Sequence, residues 1–160
     1  MPLNDIPVTT LEGEPTTLAP HADKVKLIVN LASRCGFTPQ YEKLERLQRA
    51  YGDRGFTVLG FPSNTFKQEL DDNEAIKEYC STTWGVSFPM FELVDVNGDG
   101  RHPIYAELTK APDADGVAGD VNWNFEKYLV TPDGRVQRFR SNVEPDAPEI
   151  VGAIEAHLQQ

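Results

Sequence analysis

A cysteine at position 35 sits where a thiol becomes reactive. The run Val25-Lys26-Leu27-Ile28-Val29-Asn30-Leu31 is nearly continuous in apolar and β-branched residues, and it reads as a strand buried on both faces. Ala32 and Ser33 end it, Cys35-Gly36 turns the chain, and Thr38-Pro39 carries a helix-start signature. Thr38 is the predicted N-cap and Pro39 the first helical position. Cys35 thus falls between a strand end and the positive end of a helix, where backbone N–H groups and the helix dipole favour a thiolate. The plain alternative is an inert cysteine in a turn. A dithiol exchange centre would need C-x-x-C, and Cys35-Gly36-Phe37-Thr38 has threonine in the fourth place. One thiolate without a neighbouring partner suits attack on a small electrophile such as a peroxide.

The elements that must hold this thiol can be read in order. Ile6 to Leu11, a Glu12-Gly13 turn and Pro15 to Leu18 suggest a hairpin. A helix is predicted from Pro39 to about Tyr51. Tyr41, Leu44, Leu47 and Tyr51 face inward, and Glu42, Lys43, Glu45, Arg46 and Arg49 face mostly outward. Phe56, Val58, Leu59 and Phe61 form a second strand, stopped by Pro62. Asp71 with Glu74 three residues on resembles a capping box for a short helix reaching Cys80. A third strand is expected over 91–96, ending at Asn97-Gly98, then a short helix over 102–110. Glu126 to Val130 and Arg135 to Arg140 read as a hairpin, and Ile150, Val151, Ile154 and Leu158 share one face of a last helix. The order β-α-β, helical link, β-β-α predicts an α/β thioredoxin-like fold: a central mixed sheet flanked by helices, with an N-terminal β-hairpin. One domain over residues 1–160 is expected.

Composition narrows the partners. With 160 residues and a formal net charge of -10, the chain can bury a real core but offers nucleic acid and anionic membranes little attraction. It lacks an apolar run of the roughly 18–20 residues that cross a bilayer. The start, MPLNDIPVTT, has neither a basic nor an apolar signal region, so a cytoplasmic location is expected. His21, His102 and His157 are scattered with no cysteine at ligand spacing, which predicts no metal and no cofactor. Asp95, Asn97, Asp99 and Gly100 match the first half of a calcium loop, but Ala106 holds the position that needs glutamate, so a turn ending a strand is expected.

Four stretches in register, NLASRCGFTPQY, GFPSN followed by Gln68-Glu69, SFPMF and WNFEKYLV, closely resemble the glutathione peroxidase family. The resemblance covers nearly the whole chain. It implies a thioredoxin fold and reduction of hydroperoxides through a peroxidatic cysteine, which matches Cys35. The family's assisting glutamine matches Gln68, and its Trp-Asn pair matches Trp123 and Asn124. All three carry neutral N–H donors, suited first to a thiolate and then to the oxyanion that leaves when the peroxide bond breaks. Taken alone, each has a bland reading: core or surface aromatic, turn residue, loop polar. The chain departs from the family at Ser63, where many members carry cysteine, at Thr65, where glutamine is common, and at Lys67, where the segment is a residue shorter.

Cys80 shares an apolar stripe with Ile76 and Tyr79, which suits a buried core cysteine. Thioredoxin-dependent members of the family carry a resolving cysteine in this region, so the resemblance also implies that Cys80 condenses with an oxidised Cys35. The Cα atoms would have to come within about 7 Å. The implied partners are a hydroperoxide and either thioredoxin or glutathione, with thioredoxin favoured. The short stretch 111–120 implies a monomer, since longer insertions there form contacts in tetrameric members. Two rivals stay open: a redox-sensing thioredoxin-fold module that signals by disulfide exchange, and a peroxiredoxin, whose usual P-x-x-x-T-x-x-C motif is missing before Cys35.

Overall fold

The computed structural model describes residues 2–158. Its elements are β1 (Val8–Thr9), β2 (Pro15–Thr16), β3 (Val25–Leu31), α1 (Gln40–Tyr51), β4 (Phe56–Pro62), α2 (Asn73–Tyr79), α3 (Pro103–Leu108), β5 (Lys127–Val130), β6 (Val136–Phe139) and α4 (Pro148–His157). β1 and β2 form the N-terminal antiparallel hairpin. The main sheet runs β4-β3-β5-β6, with β3 and β4 parallel and the other pairs antiparallel. This is the mixed sheet and hairpin read from the sequence.

All seven residues of β3 are buried, as its apolar run predicts for a central strand covered on both sides. Side-chain alternation sends Val25, Leu27, Val29 and Leu31 into a core with Tyr41, Leu44 and Leu47 of α1 and Ile150 and Ile154 of α4. Ile28 points to the other face, where Leu59, Phe61, Tyr128 and Val130 meet Ile104, Tyr105 and Leu108 of α3. Gly60 is needed in β4 because a Cβ there would stand 2.6 Å from a Leu31 methyl and 3.1 Å from the Phe88 ring.

Four local expectations are corrected. Thr38 does not cap α1: its hydroxyl is used inside the cysteine turn, and the helix begins at Gln40 after Pro39. Asp72, not Asp71, caps α2, accepting the Ala75 N–H at 2.7 Å; Asp71 instead accepts from Asn64. Glu45 turns inward, where its carboxylate takes the Ser87 N–H at 2.7 Å and the Ser87 hydroxyl at 2.5 Å. Burial alone would raise its pKa, but these bonds and Arg49 hold it below the usual carboxylate value. The third strand does not form as a regular ladder. Residues 89–94 stitch irregularly between β4 and β1 through Gly60 N to Pro89 O, Phe91 N to Gly60 O and Glu92 N to Thr9 O.

Candidate active site

The C-terminal ends of β3 and β4 and the turn before β5 converge on the cysteine loop. Cys35 is buried, at 8% exposure. The Phe37 N–H donates to Cys35 Sγ at 3.3 Å, which supplies a backbone donor of the kind expected at this turn. Thr38 Oγ1 accepts the Cys35 N–H at 3.0 Å and donates to Ala32 O at 2.9 Å, so one hydroxyl pins the turn at both ends. That duty explains why Thr38 is unavailable to α1.

Gln68 lies against this loop. Its carbonyl accepts the Arg34 N–H at 2.8 Å, and its side-chain Oε1 accepts the Asn124 amide at 3.0 Å. Lys67 just before it takes a left-handed conformation, φ 60°, and closes a turn by donating its N–H to Asn64 O. This is how the shortened segment still delivers Gln68. Trp123 is the most exposed of the expected residues, at 36%, with its ring tilted against Phe66 at 5.1 Å between centroids. Gln68 and Asn124 are therefore joined directly beside the Cys35 turn. Trp123 adjoins them in sequence, but its ring packs on Phe66.

Residues that the sequence reading passed over hold this arrangement. Asn30 bonds the 123–126 turn three times: its side chain donates to Trp123 O at 3.1 Å and accepts the Glu126 N–H at 3.0 Å, while its carbonyl accepts the Phe125 N–H at 2.7 Å. Phe125 sits at φ 64°, an uncommon conformation for a large side chain, and packs edge-on against Tyr41. Behind it, the buried Glu126 carboxylate takes Arg138 at 2.7 Å, Arg140 at 2.7 Å and the Tyr128 hydroxyl at 2.7 Å. A polar asparagine near the end of a mostly apolar strand was the available signal, because such a group must find partners.

Cys80 follows α2 at the start of a π-type turn, Cys80–Trp84. Both thiols are free and buried. Cys80 donates to the Tyr41 hydroxyl at 3.4 Å, and burial pushes its pKa up to about 11. Glu69, beside Gln68, is buried at 4% exposure and accepts the Ser33 N–H at 3.1 Å and the Leu70 N–H at 2.8 Å through Oε1. Burial raises its pKa despite these bonds. Among the described residues there is no cluster of three or more potential metal-ligating side chains, and no helix is long and apolar enough to cross a membrane.

The four-stranded sheet with its parallel β3–β4 pair and flanking helices belongs to the thioredoxin-like class. A secreted Mycobacterium tuberculosis disulfide oxidoreductase homologous to E. coli DsbE overlays with a TM-score of 0.63 at 19% identity, across 94% of this chain and 95% of that one. The glutathione peroxidase family profile matches residues 3–109. The thioredoxin/glutathione peroxidase BtuE of Escherichia coli K12 is 48% identical over 94% of both chains. The crystal structure of Trgpx in its apo form overlays with a TM-score of 0.73 at 36% identity over 97% of both chains. The chain belongs to the glutathione peroxidase family.

Proposed function

We propose that this chain is a thiol peroxidase, acting as one thioredoxin-like domain, that reduces hydrogen peroxide and organic hydroperoxides through Cys35. The thiolate attacks one peroxide oxygen, the other leaves as water or alcohol, and Cys35 becomes a sulfenic acid. Gln68, Trp123 and Asn124 supply the donors for the departing oxygen. The observation that carries this reading is the junction at Gln68, which accepts from Asn124 at 3.0 Å and from the Arg34 backbone at 2.8 Å. With its Oε1 taken by Asn124, the Gln68 amide offers its nitrogen as the donor.

Cys80 then condenses with the sulfenic acid to a disulfide, which thioredoxin reduces by exchange; two glutathione molecules are the alternative reductant. The dual name of the BtuE relative supports testing both. Cys80 Sγ lies within a bond of Tyr41, whose ring packs on Phe125 of the active-site turn, which favours a resolving thiol on the active-site side of α1. A monomer in the cytoplasm completes the proposal.

Peroxide consumption with thioredoxin and its reductase tests it. Turnover vanishes in Cys35→Ser, and Cys80→Ser loses thioredoxin-driven turnover while keeping activity with glutathione. A Cys35→Ser protein that still consumes peroxide removes the proposed centre. Equal thioredoxin-driven rates in Cys80→Ser remove Cys80 from the cycle.

A further inference from the structure

Gln40 is a polar side chain in a place that an apolar one would fill at less cost. It opens α1, five residues after Cys35, and it is buried. Its Nε2 donates to Ser141 O at 3.0 Å and to Glu144 Oε2 at 3.0 Å, while its Oε1 is buried without a hydrogen-bond partner among the described residues. A half-satisfied buried amide lowers stability relative to an apolar residue, so packing does not account for it. The same Ser141 carbonyl takes the Lys127 ammonium at 3.0 Å, and that ammonium also donates to Val143 O at 2.6 Å. Lys127 is buried too, and it opens β5 three residues after Asn124. One carbonyl therefore joins the strand that follows the Asn124 turn to the helix that follows the Cys35 turn. From Gln40 back to the sulfur the path is short. The Gln40 N–H donates to Phe37 O at 2.8 Å, the Thr38 N–H to Cys35 O at 3.1 Å, and the Phe37 N–H to Cys35 Sγ at 3.3 Å.

We propose that Gln40 and Lys127, meeting at the Ser141 carbonyl, form a clamp that sets the spacing between the Cys35 turn and the Asn124 turn. The proposal rests on the reading of Cys35 as the peroxidatic thiol, and it adds two positioning residues to that site. Gln68 already ties the two turns once, through the Arg34 N–H and the Asn124 amide. A single tie leaves them free to rotate about it, whereas a second tie fixes an angle as well as a distance. The Ser141 junction is that second tie. Its post is itself fastened, because Glu144, three residues on, takes Lys43 of α1 at 3.0 Å. Peroxide cleavage needs this precision. Sulfur must meet one oxygen while a donor waits at the place the other will occupy, and an error of about 1 Å costs roughly a hundredfold in rate. The Phe37 N–H on the sulfur belongs to the cysteine turn alone and does not depend on the clamp.

The test uses the full chain carrying Cys80→Ser, which leaves Cys35 as its one thiol. Gln40→Met, Lys127→Met and the double variant are compared in that background. Methionine keeps an unbranched side chain and removes the donors. Two rates are read by rapid-quench mass analysis: oxidation of Cys35 by hydrogen peroxide and its alkylation by iodoacetamide. Alkylation needs only the thiolate, whereas oxidation also needs the donors for the departing oxygen. Each single variant should slow oxidation about tenfold, a part of the cost of a full ångström of misplacement, and leave alkylation at the parent rate. The double variant should be no slower than the singles, because either change opens the same clamp. Gln40→Met keeps Ser141 O paired with Lys127, so it tests the clamp even where Lys127→Met fails to fold. An unchanged ratio of oxidation to alkylation in Gln40→Met overturns the clamp, and so does a double variant in which the two losses multiply. A parent whose Cys35 alkylates but resists peroxide overturns the peroxidase reading, and the clamp with it.

Discussion

Asn30 shows how a single buried amide can set the 123–126 turn of the candidate site. It reaches Trp123 O and the Glu126 N–H from the penultimate position of β3, and no neighbour could take over both bonds. Asn30→Ala should cost about 2–3 kcal/mol, because two backbone groups lose their partners in the interior. It should also slow Cys35 oxidation, since Asn124 lies inside the turn that loosens. Urea unfolding and stopped-flow peroxide kinetics measure the two effects separately. Lys127 gives a second test at this scale. Its ammonium meets Ser141 O at 3.0 Å and Val143 O at 2.6 Å, yet burial pulls its pKa down to about 7 against the upward pull of Glu144 and Glu126. The folded lysine thus releases its proton near pH 7, while the unfolded one keeps it to above 10. The unfolded chain binds more protons in that interval, so this group makes stability rise with pH and withdraws that gain as pH falls toward 7. Between roughly pH 7 and 9, the wild type should gain up to about 1.4 kcal/mol per pH unit relative to Lys127→Met. Parallel pH dependences in denaturation would contradict this.

The elements differ in how plainly the sequence announces them. β3 and β4 were legible because burial on both faces favours near-continuous apolar runs, and α1 because Tyr41, Leu44 and Leu47 keep helical spacing. Glu45 was misread for the opposite reason: a helical carboxylate faces water unless a distant backbone comes to meet it, and Ser87 does so from far along the chain. The 89–94 segment contains strand-forming residues, yet its hydrogen bonds are divided between β4 and β1 and build no continuous ladder. The cap of α2 was displaced by one residue because adjacent aspartates compete for the same role. Asp72 wins it, leaving Asp71 to Asn64. Removing the winning side chain by Asp72→Ala should destabilise the protein by about 1 kcal/mol. Hydrogen exchange should quicken at the first turn of α2, whereas Asp71→Ala should leave those amides as they are. The position of Cys35 between a strand and a helix was legible, but Gln68 and the Trp123-Asn124 pair come from two separate loops with no local pattern, so only a family resemblance could group them.

Across the whole molecule, a buried ionic hub joins the far hairpin to the site. Arg138 is fully buried, bonded to Glu126, and its guanidinium also donates to the carbonyls of Thr109, Ala111, Gly119 and Asp120. Arg138→Met should lower stability by about 3–5 kcal/mol, since the buried Glu126 would lose one of its two arginine partners. Thermal unfolding would register this as a large fall in Tm, and a surface-type loss of under 1 kcal/mol would refute the hub.

The guanidinium holds both stems of the 109–120 loop while leaving its outermost residues, 114–116, in water. A foreign peptide spliced between Ala114 and Gly116 would therefore begin and end on fixed posts. An epitope or affinity handle could be displayed there with the interior undisturbed, at a place where the chain already tolerates a left-handed glycine, Gly116 at φ 80°.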